Sequence, residues 1–292
     1  MSIATPPVEL VEVRTSDEVA HAGALAVPKR MGGTPRFDAV LMMHGAVGAF
    51  HDSFFRNFST ALLDRGVTTL RANNRGHDIV NRGNGRGTLL GTALERIEDC
   101  VLDWDAWIGF LASRGYKRIL VFGHSLGAVK SAYYLANRND PRVTGCVLAS
   151  PPRFNTNQML ASDRGLEFQS MLDAADALVA AGTPGALMPT TFPLRSYAGA
   201  AAYLAKYAAG TTFDVLALAT QIPCPVLALT GENELLDANF CDHTSGFAAA
   251  AAQKEGHDLD YVVVPNGDHY YTLAQAFAIE HLLAWIDRES LD

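Results

Sequence analysis

The feature that most constrains this chain is the motif Gly123-x-Ser125-x-Gly127, which separates two segments of different periodicity. Residues 118–122 form a short apolar and β-branched run, whereas residues 125–137 carry apolar side chains at helical spacing. A sharp strand-to-helix turn leaves no room for a Cβ two positions before and two positions after the serine, so glycine suits both places. The motif therefore predicts a strand–turn–helix unit that exposes the Ser125 hydroxyl at the edge of a sheet.

Composition limits the classes of protein to consider. With 292 residues, 49% hydrophobic and 18% charged, the chain can bury a large core as one α/β domain, with or without an insertion. The net charge of −8 argues against nucleic acid as the main partner, because no excess of basic side chains is available to neutralise phosphates.

The compartment is predicted from the first residues and from the cysteines. Residues 1–10 lack the basic and apolar regions of a secretion signal, and no apolar run is long enough to cross a membrane. We therefore expect a cytoplasmic protein that does not insert into membranes. Its cysteines are predicted to be reduced structural thiols, with a buried disulfide as the alternative. They are Cys100, Cys146, Cys224 and Cys241.

Strand-like and helix-like segments alternate along most of the chain, which is typical of a mostly parallel sheet with helices on both faces. The first two strands are expected to pair antiparallel. The predicted strands are 8–14, 24–28, 37–44, 67–72, 118–122, 143–150, 226–230 and 259–264. The predicted core helices run from Ser53 to about 64 and over 92–114, 125–137 and 272–286.

Residues 153–221 interrupt this alternation. The segment is rich in alanine, has no convincing strand, and shows helix-like pieces near 165–180, 196–209 and 213–219. About seventy residues is far longer than an ordinary connection. We therefore predict a helical cap insertion at 153–221 between a first core part, 1–152, and a second core part, 222–292; ordinary crossover helices are the alternative.

A serine hydroxyl needs a base, and the base needs an orienting carboxylate, before it becomes a good nucleophile. His269 directly follows the last predicted strand, and Glu234 follows the preceding one, three residues beyond Gly231. The carboxyl ends of parallel strands open on one edge of a sheet, so these side chains are expected to converge on Ser125. Glu232 and Asp237 are the alternative acids, and all three acids could instead be solvated loop charges.

Backbone amides are the candidate donors to a negatively charged oxygen. The amide of Leu126 begins the predicted helix, where N–H groups have no intrahelical partner. The amide of Ala46 lies in the His44-Gly45-Ala46-Val47-Gly48 turn after the third strand, where Gly45 permits a close backbone approach. A simple glycine turn is the alternative for this second donor.

Cofactor motifs are absent from the sequence. Gly83-x-Gly85-x-Gly87 lies in a polar loop and does not join a strand to a helix, so it does not predict a dinucleotide site. No phosphate-binding loop motif and no Cys or His cluster with metal-ligand spacing occurs. We therefore expect no metal and no organic cofactor. Arg75, Arg82 and Arg86 are interpreted as solvated side chains, with recognition of an acidic substrate as the alternative.

Taken together, these motifs resemble the α/β-hydrolase superfamily, in particular its capped serine esterases. The resemblance implies Ser125, Glu234 and His269 as a catalytic triad acting through an acyl-enzyme on a small or medium carboxylic ester, thioester or lactone. Relatives usually have Asp at the position of Glu234 and Gly at that of Asp268. The motifs, in strand order, are His44-Gly45, Asn73-x-Arg75-Gly76-His77, Gly123-His124-Ser125-Leu126-Gly127, Gly231-Glu232-x-Glu234 and His269.

Two other functions remain open at this point. The same constellation serves C–C hydrolases and lyases in some relatives, and the fold also occurs in ligand-binding proteins with little catalysis. The expected partner is a small-molecule acyl substrate. A homo-oligomer is possible, and the sequence does not determine the oligomeric state.

Overall fold

The computed structural model describes residues 7–29, 35–83, 88–236, 246–253 and 258–288. The strands are β1 Glu9–Arg14, β2 Ala20–Ala26, β3 Ala39–Met43, β4 Thr68–Ala72, β5 Asn81–Arg82, β6 Leu89–Leu90, β7 Ile119–His124, β8 Val143–Ala149, β9 Leu187–Thr190, β10 Ser196–Gly199, β11 Val226–Gly231 and β12 Leu259–Val264. The α-helices are α1 Phe54–Asp64, α2 Cys100–Ser113, α3 Leu126–Asn137, α4 Thr156–Ala161, α5 Gly165–Ala180, α6 Ala200–Tyr207, α7 Val215–Ala219, α8 Phe247–Gln253 and α9 Gln275–Arg288.

Eight of the strands form one sheet in the order β1-β2-β4-β3-β7-β8-β11-β12. In this order, every neighbouring pair between β4 and β12 is parallel: β4 with β3, β3 with β7, β7 with β8, β8 with β11, and β11 with β12. Strand β2 runs antiparallel to both β1 and β4. The predicted α/β-hydrolase architecture and its antiparallel leading pair are therefore confirmed. The carboxyl ends of β7, β11 and β12 consequently lie at the same edge of the sheet.

Helices cover both faces of this sheet, and strand β3 shows how the core is divided. Val40 and Met42 belong to the apolar cluster shared with α1 and α9. Leu41 and Met43 belong to the cluster shared with α2 and α3. Successive side chains of a strand point to opposite faces, so a strand covered on both sides has to be apolar throughout. This explains why the central strands read as continuous apolar runs.

One predicted helix is shorter than expected. The pattern over 92–114 forms a helix only from Cys100, preceded by a 3₁₀ turn at Ile97–Asp99. The amides of Thr92 and Ala93 donate to the carbonyl oxygens of Asp78 and Ile79. Because these hydrogen bonds hold the backbone of residues 92–93 against residues 78–79, the helix cannot extend back to residue 92.

The prediction that 153–221 contains no strand is wrong. β9 and β10 pair antiparallel, with Pro189 opposite Tyr197, so the predicted helix at 196–209 begins only at Ala200. Side chains of β9 alternate between exposed and buried, and a two-stranded sheet tolerates Pro189 because both of its strands are edges. The sequence pattern of β9 and β10, which have four residues each, was too short to be distinguished from a loop.

The rest of this segment divides into two parts. Residues 155–212, which we call the inserted segment after the insertion predicted at 153–221, contain an apolar cluster of their own, built around Phe168, Phe192 and Tyr203. Helix α7 instead contributes Val215 and Leu218 to the core cluster beside α3. Among the helices that the structure describes, none is both long and apolar enough to span a bilayer.

Candidate active site

Ser125, Glu234 and His269 come from three different strand ends and lie at one edge of the sheet. Ser125 follows β7, Glu234 lies in a 3₁₀ turn after β11, and His269 follows β12. Ser125 and His269 line the same cavity. The predicted candidates are therefore brought together by the parallel topology.

The backbone at Ser125 adopts a conformation that few residues other than glycine occupy, with φ 54° and ψ −126°. A Cβ on Gly123 would lie 2.4 Å from the Gly127 carbonyl oxygen, and one on Gly127 would lie 2.3 Å from the Met43 carbonyl oxygen. Both distances are far below van der Waals contact. The two glycines thus permit the sharp turn that carries Ser125, as the motif predicts.

The Glu234 carboxylate and the His269 imidazole are in direct contact. His269 Nδ1 lies 2.6 Å from Glu234 Oε1, and Glu234 is only 3% exposed. Burial alone would raise the pKa of Glu234, but hydrogen bonds from His269, from Ser150 and from the Gly231 amide outweigh it and lower this pKa. The ionised carboxylate therefore holds the proton on Nδ1 and leaves Nε2 as the basic nitrogen of the ring.

Two residues that sequence reasoning missed complete the surroundings of Glu234. Ser150 Oγ donates to Glu234 Oε2 at 2.6 Å and lies 2.9 Å from Tyr271 Oη, which in turn donates to the Leu229 carbonyl oxygen. Ser150 and Tyr271 are fully buried. Ser150 directly follows β8, so its position at the same edge of the sheet was the one available sequence signal.

The alternative acids have different surroundings. Glu232 accepts a hydrogen bond from the Asn266 amide on the exposed side of the turn, and Asp237 lies outside the described residues. Asp268 accepts from the amides of Tyr270 and Thr272 and so stabilises the turn next to His269. Glu234 is therefore the candidate acid that contacts His269.

His124 helps to hold the loop that carries His269. Its Nε2 lies 2.8 Å from the His269 carbonyl oxygen, which can only accept, so Nε2 bears the proton. Burial lowers the pKa of His124 to about 3, and its ring stacks on Phe54 at 3.9 Å between centroids. A neutral His124 thus links the nucleophile turn to the backbone of His269.

The two residues whose amides are predicted as anion donors line the same cavity as Ser125. Ala46 and Leu126 line the cavity beside Ser125, and within the described part of the chain neither amide has a hydrogen-bond acceptor. A Cβ on Gly45 would lie 2.7 Å from Ser125 Cβ, so only glycine allows this approach. Two backbone donors beside a serine hydroxyl can stabilise a developing oxyanion.

Two cavities of different polarity meet at Ser125. The first, about 300 Å³, lies between the core and the inserted segment and is mainly apolar, with Leu126, Phe154 and Leu194 in its wall. The second, about 340 Å³, is lined by polar groups that include His44, Asp52 and Ser53. A substrate with its reacting carbon at Ser125 could therefore extend in two chemically different directions.

The structure also locates other groups named in the sequence analysis, and among them Arg82 is exposed. Arg75 is 4% exposed and pairs with Asp103 and Asp17, so the interpretation of Arg75 as a solvated side chain is wrong; Arg86 lies outside the described residues. Within the described ranges, no three His, Cys, Asp or Glu side chains are grouped as a metal site requires. Cys100, Cys146 and Cys224 are free thiols, and Cys241 falls in an undescribed range.

Comparison with known proteins identifies the family. Residues 40–280 match the sequence model of the alpha/beta hydrolase family, and the chain therefore belongs to this family. No curated protein has significant sequence similarity to the chain.

Solved structures of hydrolases share its fold. Est1E from Butyrivibrio proteoclasticus, with ferulic acid bound, is 16% identical over 96% of this chain and 99% of that chain, with a TM-score of 0.64. The esterase PF2001 from Pyrococcus furiosus is 17% identical, with coverages of 99% and 98% and a TM-score of 0.63. The alpha/beta hydrolase GrgF from Penicillium sp. sh18 is 16% identical, with coverages of 97% and 98% and a TM-score of 0.69. At these identities the likeness concerns the fold.

Proposed function

We propose that this protein is a serine esterase that hydrolyses small or medium carboxylic esters through an acyl-enzyme, with Ser125, His269 and Glu234 as its triad. The observation that carries the proposal is the 2.6 Å contact of Glu234 with His269 beside the strained turn of Ser125. Membership of the alpha/beta hydrolase family and the likeness to esterase structures support the same reaction class.

The proposed reaction has two halves. Ser125 Oγ attacks the ester carbonyl carbon while His269 Nε2 takes its proton, and the amides of Ala46 and Leu126 bind the resulting oxyanion. His269 then gives the proton to the leaving alcohol, which departs as the acyl-serine forms. Water, deprotonated by His269, attacks this acyl group and releases the acid and free Ser125. Glu234 stays ionised throughout and stabilises the imidazolium.

The inserted segment is the proposed cap over this site. Pro193, Leu194 and Tyr207 of this segment form one side of the apolar cavity, opposite Ala46 and Leu126. Excluding water there strengthens the hydrogen bonds to the oxyanion. We propose that the apolar cavity accepts the hydrocarbon part of the ester and that the reaction occurs in the cytoplasm, where the free thiols would persist.

Ser125→Ala is the direct test. We expect kcat on p-nitrophenyl butyrate to fall by about 10⁴-fold or more, because no hydroxyl remains to form the acyl-enzyme. Labelling by a fluorophosphonate probe should disappear as well. The control is Ser113→Ala, on the exposed end of α2, which should label and turn over like the wild type. If Ser125→Ala retains wild-type turnover, the assignment is wrong. If the wild-type protein itself is not labelled and binds a ligand tightly without consuming it, the protein is a binding protein instead.

Leu194→Trp tests the assignment of the apolar cavity. The larger side chain should occupy part of the roughly 300 Å³ space and exclude long chains more than short ones. We expect the ratio of kcat/KM for p-nitrophenyl octanoate over acetate to fall about tenfold. Leu187→Trp, at an exposed site of β9 away from the cavity, is the matched control. An unchanged ratio in Leu194→Trp would exclude this cavity as the chain-binding site.

A further inference from the structure

Three charged side chains are buried together between the core and the inserted segment. Glu95, Lys130 and Lys206 are 1%, 1% and 4% exposed. Lys130 Nζ donates to Glu95 Oε2, and Lys206 Nζ lies 3.2 Å from Glu95 Oε1. Burying an ion pair is costly and often contributes little to stability. The hydrogen bonds that surround this cluster therefore indicate its role.

A first chain of hydrogen bonds leads from this cluster to the turn that precedes Ala46. Lys130 Nζ donates to Asn74 Oδ1 at 2.9 Å, and the Gly76 amide donates to the same oxygen at 3.0 Å, which fixes the orientation of the Asn74 amide. Asn74 Nδ2 therefore faces His44 Nε2 at 3.2 Å. Because Nε2 accepts, the His44 proton lies on Nδ1, which is 2.8 Å from the Gly45 carbonyl oxygen.

This arrangement determines where the Ala46 amide points. In a trans peptide the C=O and N–H bonds point in opposite directions, so holding the Gly45 carbonyl also orients the Ala46 N–H. Burial lowers the pKa of His44 to about 3, which keeps the ring neutral in this chain. The donors Lys130 Nζ, Asn74 Nδ2 and His44 Nδ1 follow one another in one direction, and the last of them holds the Gly45 carbonyl oxygen. Hydrogen bonds aligned in this way strengthen one another.

A second contact holds the other side of the same turn. The Val47 amide donates to Thr92 Oγ1 at 2.7 Å, and the Thr92 carbonyl oxygen accepts from Lys206 Nζ at 2.7 Å. Val47 has φ 54°, a left-handed conformation that a β-branched residue adopts only when its surroundings impose it. Both routes therefore start at Lys206, which belongs to α6 of the inserted segment, and end on either side of Ala46.

We propose that Lys206 couples the docking of the inserted segment to the geometry of the oxyanion donor at Ala46. Lys206 is a positioning residue, since it acts through Thr92 and through Glu95 and Lys130 rather than on the substrate. This inference rests on the esterase function proposed above, because it requires an oxyanion at Ala46. It assigns the buried ion cluster a role in transition-state binding.

Lys206→Met tests the coupling, because it keeps the length of the side chain and removes its donors. For each variant, three quantities should be measured: kcat/KM on p-nitrophenyl butyrate, the inhibition constant of butylboronic acid, and that of N-propylbutyramide. The boronate forms a tetrahedral adduct on serine that resembles the transition state, whereas the unreactive amide resembles the bound substrate. We expect kcat/KM and boronate affinity to fall together by about tenfold, with amide affinity nearly unchanged.

The control is Lys117→Met, at an exposed position before β7, which should behave like the wild type. Thr92→Val provides an independent second variant, since it removes the hydroxyl that holds the Val47 amide and should shift the same ratio. If the ratio of boronate to amide affinity stays within about threefold of wild type in the folded variants, Lys206 has only a structural role and the proposal is overturned. Failure of the esterase function would be visible in the wild type itself, as turnover that Ser125→Ala does not affect.

Discussion

Glu234→Gln is expected to lower kcat on an ester by about 10³- to 10⁴-fold, with a much smaller change in KM. The neutral amide cannot stabilise the imidazolium, and its NH₂ group can turn toward His269 Nδ1 and favour the wrong tautomer. Ser150 Oγ and the Gly231 amide can still donate to the remaining side-chain oxygen, so the fold should persist. Steady-state kinetics with p-nitrophenyl butyrate measure the effect, and thermal unfolding checks the fold.

The neighbouring acids are the matched controls for this prediction. Glu232→Gln, at the first position of the same turn, should retain kcat within about twofold, because among the described residues its carboxylate accepts a hydrogen bond from the Asn266 amide and not from His269. Asp237→Asn completes the comparison. A large loss of kcat in Asp237→Asn, together with a nearly active Glu234→Gln, would assign the role of the acid to Asp237.

Gly127→Ala is expected to destabilise the protein by about 3 kcal/mol and to abolish most activity in whatever folds. The new Cβ would lie 2.3 Å from the Met43 carbonyl oxygen and 2.4 Å from that of His44. These are backbone atoms at the end of β3 and in the turn that precedes Ala46, so no side-chain rotation can relieve the overlap. The change would therefore move Ser125 away from the Ala46 amide. Urea unfolding gives the free energy of unfolding, and kcat/KM gives the loss of activity.

Gly109→Ala is the control for this second prediction. Gly109 lies inside α2, and apart from its chain neighbours and the adjoining backbone of its own helix, no heavy atom comes within 4 Å of the Cβ that alanine would add there. An exchange of glycine for alanine within a helix then stabilises by roughly 0.5–1 kcal/mol. Equal free energies of unfolding for Gly127→Ala and the wild type would show that the turn is not packed as described.

Local pattern was sufficient for the elements that carry the site. The run over 118–122, the glycines around Ser125 and the helical spacing over 125–137 predicted a strand–turn–helix unit, and β7 and α3 have these positions. His269 and Glu234 could be proposed because each follows a strand of a parallel sheet, whose carboxyl ends share one edge. These inferences need only neighbouring residues and one rule of topology.

The hairpin of β9 and β10 could not be predicted in the same way. Four-residue strands are too short for a period to be recognised, and Pro189 argues against a strand unless its edge position is known. The start of α2 at Cys100 was likewise decided by contacts of residues 92–93 with residues 78–79.

The sequence by itself determined the class of fold, the serine turn and the strand ends from which the candidate base and acid come. The tertiary structure alone decided which acid contacts His269, that Ser150 and Tyr271 lie beside this acid, and that Lys206 is linked through Glu95 and Thr92 to the turn around Ala46. The physical reason is the range of the interactions. Periodicity and turn chemistry act between neighbours along the chain, whereas hydrogen bonds join atoms of residues that are distant in sequence and meet only after the chain has folded.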